Sequence, residues 1–97
     1  MSAYLIVGLA VHDEETMRKY RELVPPSIAA YGGRYLVRGG AMEVLEGNWS
    51  PRRTVVLEFP DMASLKRWYD SPDYEPIRAL RFRAASGDVI AVEGMPS

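Results

Sequence analysis

The side chain of this sequence that titrates nearest to neutral pH is His12, the only histidine among 97 residues. It follows the apolar run "YLIVGLAV", so it would lie at the end of a strand. An imidazole there can act as a general base, or it can simply cap the strand and face solvent. Without cysteine or a second histidine, only a histidine–carboxylate metal site would remain, and we predict neither a metal nor a cofactor.

A second candidate for acid–base chemistry is Glu58, in the run "TVVLEF". Alternation along a strand places Glu58 on the same face as Val56. If that face is covered, the carboxylate needs a partner, because burying an unpaired charge is costly. Glu58 is therefore either half of an ion pair with Arg34 or Arg38, or an acid, base or ligand anchor in a cleft.

Four further residues have side chains suited to binding a ligand: Arg38, Tyr69, Tyr74 and Arg81. Arginine can hold a carboxylate or phosphate with two parallel hydrogen bonds. Tyr74 lies in the turn sequence "SPDY", from which a phenol can reach either backbone or ligand. Together with Trp68 these residues could line a pocket between a helix and the sheet, although the spacing of Trp68 also fits a core position.

Composition and charge argue against several classes of partner. The 12 basic and 13 acidic residues give a formal net charge of −1, without the basic field typical of nucleic-acid or anionic-membrane binding. The apolar start lacks the basic flank of a secretory signal and is far shorter than the roughly 20 residues of a spanning helix. The absence of cysteine favours the cytosol. We expect a cytosolic protein that binds neither nucleic acid nor membranes.

The elements that must position these side chains follow from the hydrophobic pattern. The predicted strands lie at residues 3–11, 34–38 with a continuation to 46, 54–59, and 89–92. The predicted helices run from Asp13 to about Val24, from an N-cap at Asp61, and from Ser71-Pro72 to a terminus at Gly87. Pro25-Pro26 should interrupt the first helix, because proline removes a backbone donor and clashes with the preceding turn.

Two Gly-Gly pairs bracket the strand at residues 34–38. Gly32-Gly33 suits a helix terminus, where a positive φ is favoured. Gly39-Gly40 fits either a tight hairpin turn or a bulge within one long bent strand. The nearby loop "NWSPRR" already supplies a turn, which favours the bulge. The stretch "GGRYLVRGG" lacks the spacing of a phosphate loop or a dinucleotide fingerprint.

The element order strand, helix, strand, strand, helix, strand predicts an α+β, ferredoxin-like βαββαβ protomer in a single domain, residues 1–97. Its four-stranded antiparallel sheet would carry helices on one face only. The other face would be unusually apolar, with the expected members Tyr4, Ile6, Gly8, Ala10, Thr54, Val56, Val89 and Ala91. A contiguous apolar patch marks an interface, so we predict a two-fold homodimer that pairs these open faces.

Five stretches of the sequence, "AYLIV", "AAYGGRYLVRGG", "EVLEG", "RRTVVLEFPD" and "WYDSPDYEPIRALR", resemble the domain-of-unknown-function 1330 family. The resemblance runs from about residue 3 to residue 94 with the motif order intact. It implies membership of the dimeric α+β barrel superfamily, with a ferredoxin-like protomer and a face-to-face dimer. That superfamily includes monooxygenases, isomerases and dehalogenase-like proteins, and the family itself has no general reaction.

Three function classes follow from these observations. The favoured one is a small dimeric binding protein that holds an apolar or anionic metabolite in a cleft beside the inter-sheet interface. The second is a cofactor-independent enzyme that works with few polar groups in an apolar cavity. The third is a structural dimer without a ligand. A carboxylate with a shifted pKa beside an open cavity would favour the enzyme, and a filled interface would favour the structural dimer.

Overall fold

The computed structural model describes residues 1–50 and 53–96 of the chain. In these residues it contains four strands and three helices: β1 (Ala3–Val11), α1 (Glu14–Ala30), β2 (Arg34–Arg38), β3 (Arg53–Phe59), α2 (Met62–Tyr69), α3 (Glu75–Ala84) and β4 (Ala85–Glu93). The strands form one antiparallel sheet in the order β2-β3-β1-β4. The predicted ferredoxin-like arrangement is confirmed, with α2 and α3 together forming its second helical connection.

The hydrophobic core lies between the sheet and the helices. It is built by alternation in β1 and β3 and by helical spacing in α1 and α2, as the sequence predicts. Its largest fully buried side chains are Trp68, Tyr74, Phe59, Met17, Ile28 and Leu65. Two aspartates begin helices by accepting backbone hydrogen bonds: Asp13 from Thr16 at 3.1 Å, and Asp61 from Ser64 at 2.7 Å. In the described part of the chain, no helix has the length and apolarity needed to cross a membrane.

The open face of the sheet carries the predicted residues of β1 and β3 but different residues of β4. Val89 lies directly opposite Val7, a core residue, so Val89 and Ala91 face the helices. Ile90 and Val92 occupy the open face instead, where they are 53% and 41% exposed. The prediction for β4 is wrong because residues 89–92 are all apolar, which leaves no alternation to specify a face.

Gly87 does not end a helix, which corrects a second prediction. The third helix ends at Ala84, and the chain passes directly into β4. Gly87 lies within that strand at φ +153°, opposite Leu9 of β1. A β-carbon on Gly87 would overlap the carbonyl oxygen of Gly8. Glycine therefore allows the close approach of these two strands.

Pro25 and Pro26 do not interrupt the first helix: α1 continues through both to Ala30. Because proline has no N–H, Pro25 cannot donate to the carbonyl of Arg21 one turn earlier. That carbonyl instead accepts a hydrogen bond of 3.0 Å from the guanidinium of Arg38 in β2. A side chain from the sheet thus replaces the donor that the helix lacks. Gly32, at φ +80°, ends the helix as predicted.

The predicted long bent strand after Gly39 is absent from the described residues. β2 ends at Arg38, and the N–H of Gly39 makes a last hydrogen bond of 2.9 Å to the carbonyl of Thr54. Gly39 has φ +69°, which takes the chain away from the sheet, and residues 39–50 form no strand. The bulge lies earlier, between Tyr35 and Val37, where the pairing with β3 shifts by one residue.

Candidate functional site: a pocket between helices and sheet

A pocket lies between the helix layer and the helix-facing side of the sheet. The pocket is partly open to solvent, and its cavity volume of about 40 Å³ is room for a few water molecules. Just over half of its lining residues are apolar, and most of these come from β1, β3 and α1. The polar lining consists of four phenols and four guanidinium groups, those of Tyr20, Tyr35, Tyr69, Tyr74, Arg21, Arg38, Arg53 and Arg81.

All four predicted ligand-binding residues line this one pocket. Arg38 comes from β2, Tyr69 from α2, Tyr74 from the turn before α3, and Arg81 from α3 itself. The structure thus brings together side chains that are as far as 43 positions apart in sequence. Trp68 is 1% exposed and belongs to the core, and it also lines the pocket. The two positions predicted for Trp68, core and pocket wall, are therefore both correct.

Tyr74 is held rigidly by the turn at residues 71–74. Its ring stacks on Trp68 with 4.1 Å between ring centroids, and its N–H donates to the Ser71 hydroxyl at 3.1 Å. The helix begins at Glu75, so the proline in its first turn is Pro76 and not the predicted Pro72. Ser71 nevertheless acts as a cap for this turn, and that cap orients the Tyr74 phenol toward the pocket.

A pair of phenols forms the polar centre of the lining. The hydroxyls of Tyr20 and Tyr74 lie 2.8 Å apart and share a hydrogen bond. Burial, reinforced by the neighbouring Tyr74, raises the pKa of Tyr20 far above its usual value. Tyr20 is therefore protonated at neutral pH. The guanidinium of Arg81, a residue only 6% exposed, lies close to both hydroxyls.

The β2 bulge decides where Arg38 points. Before the bulge, Arg34 pairs with Glu58; after it, Arg38 pairs with Val55, which faces the helices. Arg34 and Arg38 therefore lie on opposite faces of the sheet, and the prediction that both could pair with Glu58 is wrong for Arg38. Its guanidinium lies 4.5 Å from the ring centroid of Tyr35 and lines the pocket.

Arg53 is a lining residue that sequence reasoning missed, because it is the last residue of the predicted loop "NWSPRR", just before the predicted strand at 54–59. Its Nε atom is buried and has no hydrogen-bond partner among the described residues. Burial, together with the charges of Arg21 and Arg38, lowers the pKa of Arg53 below its usual range. Alternation along β3 would have placed Arg53 on the helix-facing side with Val55.

Glu58 lies outside the pocket, on the open face of the sheet. Its carboxylate accepts hydrogen bonds from Arg34 at 2.7 Å and from the Tyr4 hydroxyl at 3.2 Å. The bond from Arg34, helped by that from Tyr4, lowers the pKa of Glu58 below its usual range. This geometry favours the ion-pair interpretation of Glu58, with Arg34 as the partner.

His12 is exposed beyond the end of β1, where its backbone N–H donates to the Ala84 carbonyl at 2.9 Å. The partner of Glu58, Tyr4, lies near the opposite end of the same strand, about 26 Å away at roughly 3.3 Å per residue. The structure therefore does not bring the two acid–base candidates together. Within residues 1–50 and 53–96, no three side chains of His, Cys, Asp or Glu cluster as metal ligands would.

The sequence matches one family model over nearly its whole length. The model describes a domain of unknown function, DUF1330, and it matches residues 2–95. This chain belongs to the DUF1330 family. The resemblance expected from the sequence motifs is thus confirmed. A search of curated proteins finds no match to this DUF1330 chain.

Several solved structures share the fold of this DUF1330 protein at low sequence identity. A protein of unknown function from Rhodopseudomonas palustris is 15% identical, with a TM-score of 0.79 over 99% of this chain and 84% of that one. A dimeric ferredoxin-like protein of unknown function from Jannaschia is 16% identical, with a TM-score of 0.63 over 99% and 100% of the two chains. SnoaB, a cofactor-independent oxygenase from Streptomyces nogalater, is 10% identical, with a TM-score of 0.56 over 99% and 95%.

Proposed function

We propose that this DUF1330 protein binds a small organic molecule in the pocket between its helices and its sheet. The observation that carries the proposal is the convergence of phenols and guanidinium groups on an otherwise apolar pocket, from two strands, three helices and the turn before α3. Apolar walls with a few placed polar groups are typical of small-molecule sites. Because the cavity volume is only about 40 Å³, a ligand must displace lining side chains or extend through the open mouth of the pocket. The location differs from the sequence-based expectation, which placed the cleft beside the inter-sheet interface.

The lining suggests how such a molecule would be held. The stacked rings of Trp68 and Tyr74 provide a rigid aromatic wall for a planar or apolar body. The protonated Tyr20 and the buried Arg81 offer donors to oxygen atoms of the ligand. Arg81 is the least exposed of the four lining arginines, so it would reach the innermost part of the ligand.

A pocket-filling substitution tests this proposal. Val55→Phe adds bulk inside the pocket, whereas Val44→Phe adds the same bulk at a position that is 46% exposed and outside it. Both proteins, and the wild type, would be purified without denaturation and compared by native mass spectrometry and by ligand-observed NMR with a fragment library. We expect co-purified or added small molecules to bind the wild type and Val44→Phe but not a folded Val55→Phe.

Two results would contradict the proposal: no fragment binding to the wild type at millimolar concentration, or equal binding to folded Val55→Phe. In the second case the ligand occupies some other surface. Amide spectra of each variant establish that it is folded before binding is compared.

The geometry favours binding over catalysis. The likeness to SnoaB is a likeness of fold, and catalysis here would require an acid or base that reaches the ligand. Glu58 and His12 lie away from the pocket lining, and the protonated Tyr20 can donate but not accept a proton at neutral pH. The enzyme alternative with Glu58 or His12 as its acid or base stays a prediction. If an activity is detected and survives Glu58→Gln, Glu58 is not its acid or base.

We also propose that the protein is a cytosolic homodimer joined through the open faces of its sheets. The open face exposes Ile90 and Val92 and carries Ile6 and Val56 beside them, so its centre is apolar. Apolar patches of this kind are typical of interfaces. The dimeric Jannaschia protein of the same fold supports the proposal.

A further inference from the structure

Three of the pocket's arginines form a cluster of like charge, named here the arginine cluster: Arg21 of α1, Arg38 of β2 and Arg53 of β3. Arg21 and Arg38 are both close enough to Arg53 to lower its pKa. Like charges held together without counter-charge are unfavourable, and more so where water is partly excluded. Their proximity therefore needs a physical explanation.

The described residues supply little negative charge to the arginine cluster. Their ion pairs are Arg21 with Glu14, at 3.4 Å between a partly buried guanidinium and an exposed carboxylate, and Arg34 with Glu58 on the other face of the sheet. The charge of Glu14 also acts on Arg53, but Glu14 is 70% exposed and water screens it, so it offsets only part of the charge of the cluster. Within the described part of the chain, Arg38 and Arg53 have no carboxylate partner.

A second observation, at Arg53, also indicates that the arginine cluster lacks an acceptor. The Nε of Arg53 is buried and donates to no described atom, although an N–H removed from water without an acceptor destabilises the folded protein. Its guanidinium occupies the space beside Gly39, where a β-carbon would overlap it. A glycine at φ +69° thus leaves the room in which this side chain lies along the pocket wall.

Arg38 is oriented toward the same place by the backbone of α1. The Arg21 carbonyl, which Pro25 leaves without a donor, accepts a hydrogen bond from one terminal nitrogen of Arg38. The guanidinium retains its other N–H groups for a ligand, because an arginine side chain has five. Arg38 and Arg53 thereby converge from neighbouring strands on one side of the pocket.

We propose that Arg53 and Arg38 bind the carboxylate of the ligand, so that the ligand class is small aryl or alkyl carboxylates. The inference rests on the proposed binding function and adds the ligand's chemistry. A planar guanidinium matches a planar carboxylate with two parallel hydrogen bonds. The apolar body of the ligand then extends toward the aromatic wall formed by Trp68 and Tyr74. A single carboxylate relieves both the repulsion within the arginine cluster and the unpaired Nε of Arg53.

The test is an NMR titration of the isotope-labelled full chain with aryl carboxylates, each paired with its own primary amide; phenylacetate and phenylacetamide are one pair. We expect the carboxylates to bind at least about 10-fold more tightly than the amides and to shift the Nε–Hε signal of Arg53. Arg53→Gln should weaken carboxylate binding by about 10- to 100-fold and amide binding by much less, because a charged acceptor loses more than a neutral one.

Arg18→Gln is the matched control, because it makes the same charge change on the exposed side of α1. Equal losses in Arg18→Gln and Arg53→Gln would overturn the inference, since general electrostatic attraction would then explain them. Arg53→Lys keeps the charge but not the planar fork; carboxylate binding at wild-type strength in this variant would also overturn it. Should Arg53→Gln fail to fold, Arg53→Lys and the carboxylate–amide comparison decide the question.

Failure of the inference and failure of the proposed function give different results. If amides bind in the pocket as tightly as carboxylates, the binding function stands and the carboxylate assignment is wrong. If inorganic phosphate binds the arginine cluster more tightly than any carboxylate, the ligand class is wrong in the same way. If no probe shifts a pocket signal, both are overturned.

Discussion

Glu58 is a carboxylate whose hydrogen bonds come from its neighbours in the sheet. Arg34 donates from the adjacent strand at 2.7 Å, and Tyr4 donates from β1 at 3.2 Å. Both partners stabilise the charged form, which is why the pKa of Glu58 is lowered. A carboxylate that stays ionised at neutral pH has no proton to donate. The structure therefore supports a structural role for Glu58 better than a role as a general acid.

Glu58 should make the stability of the protein depend on pH in one direction. The pKa of Glu58 is lower in the folded state than in the unfolded state, where it is about 4.3. The contribution of Glu58 to the free energy of unfolding is therefore fully present above the unfolded-state pKa and is lost as the pH falls through the folded-state pKa. Urea unfolding at about pH 7 and about pH 3 should therefore show wild type more stable than Glu58→Gln at the higher pH, with a smaller difference at the lower one.

Glu46→Gln, at an exposed loop position, is the control for this measurement. It should follow the wild-type pH dependence. A stability difference between wild type and Glu58→Gln that stays constant over this range would show that the ion pair with Arg34 does not form in solution.

At the scale of elements, α1 and β2 are joined by a hydrogen bond that exists because of a proline. Proline inside a helix costs about 3 kcal/mol or more, since a backbone bond is lost and the ring clashes with the preceding turn. Here the vacant acceptor, the Arg21 carbonyl, binds Arg38, which lines the pocket. The vacant carbonyl thus becomes a means of positioning a side chain at the pocket.

Pro25→Ala should separate stability from binding. An alanine N–H would bind the Arg21 carbonyl, so we expect the free energy of unfolding to rise by about 1–2 kcal/mol and Arg38 to lose its anchor. Carboxylate affinity should then fall by about 3- to 10-fold. The measurements are urea unfolding and the NMR titration described above.

Pro26→Ala is the matched control for Pro25→Ala. The carbonyl that Pro26 leaves free belongs to Glu22, an exposed residue, and Arg38 does not bond to it. This variant should gain stability to a similar degree and keep its carboxylate affinity. Equal affinity losses in the two variants would mean that Arg38 is not held for binding by the Arg21 carbonyl.

The elements also show what the sequence could and could not predict. Alternation in β1 and β3 was sufficient to assign Leu5 to the core and Val56 to the open face. It failed where the pattern carried no information, as in the uniformly apolar residues 89–92. It failed also at the β2 bulge, since one extra residue reverses the face of every later side chain and moved Arg38 into the pocket. Arg38 lines the pocket, as the sequence suggested, but it does not pair with Glu58 as predicted.

At the scale of the whole molecule, the sheet separates two surfaces with different roles. Its helix-facing side forms the core and the pocket, and its open side carries the Glu58 ion pair and an apolar centre. Residues 48–50 reach over that open side, where Trp49 lines a hollow with Ile6 and Ile90 while remaining 55% exposed. Partly exposed isoleucine and tryptophan side chains gathered in this way are better explained by a second copy than by water.

The proposed dimer predicts that charge at the centre of the open face dissociates it. A two-fold axis through this face brings the two copies of Ile6 near one another, so Ile6→Asp would place two like charges in an apolar interface. We expect association to weaken by about 100-fold or more. Native mass spectrometry should find the wild type at twice 10.9 kDa and Ile6→Asp at 10.9 kDa.

Leu45→Asp makes the same chemical change at a position that is 86% exposed and outside the sheet, so it should remain dimeric. Carboxylate titrations of the folded Ile6→Asp monomer would then separate the two surfaces. Because the pocket lies on the helix-facing side of the sheet, away from the open face, its affinity should survive loss of the dimer. If the wild type is a monomer, or if Ile6→Asp remains dimeric, the open face is not the dimer interface. Neither result would affect the proposed binding pocket, which is argued from other contacts.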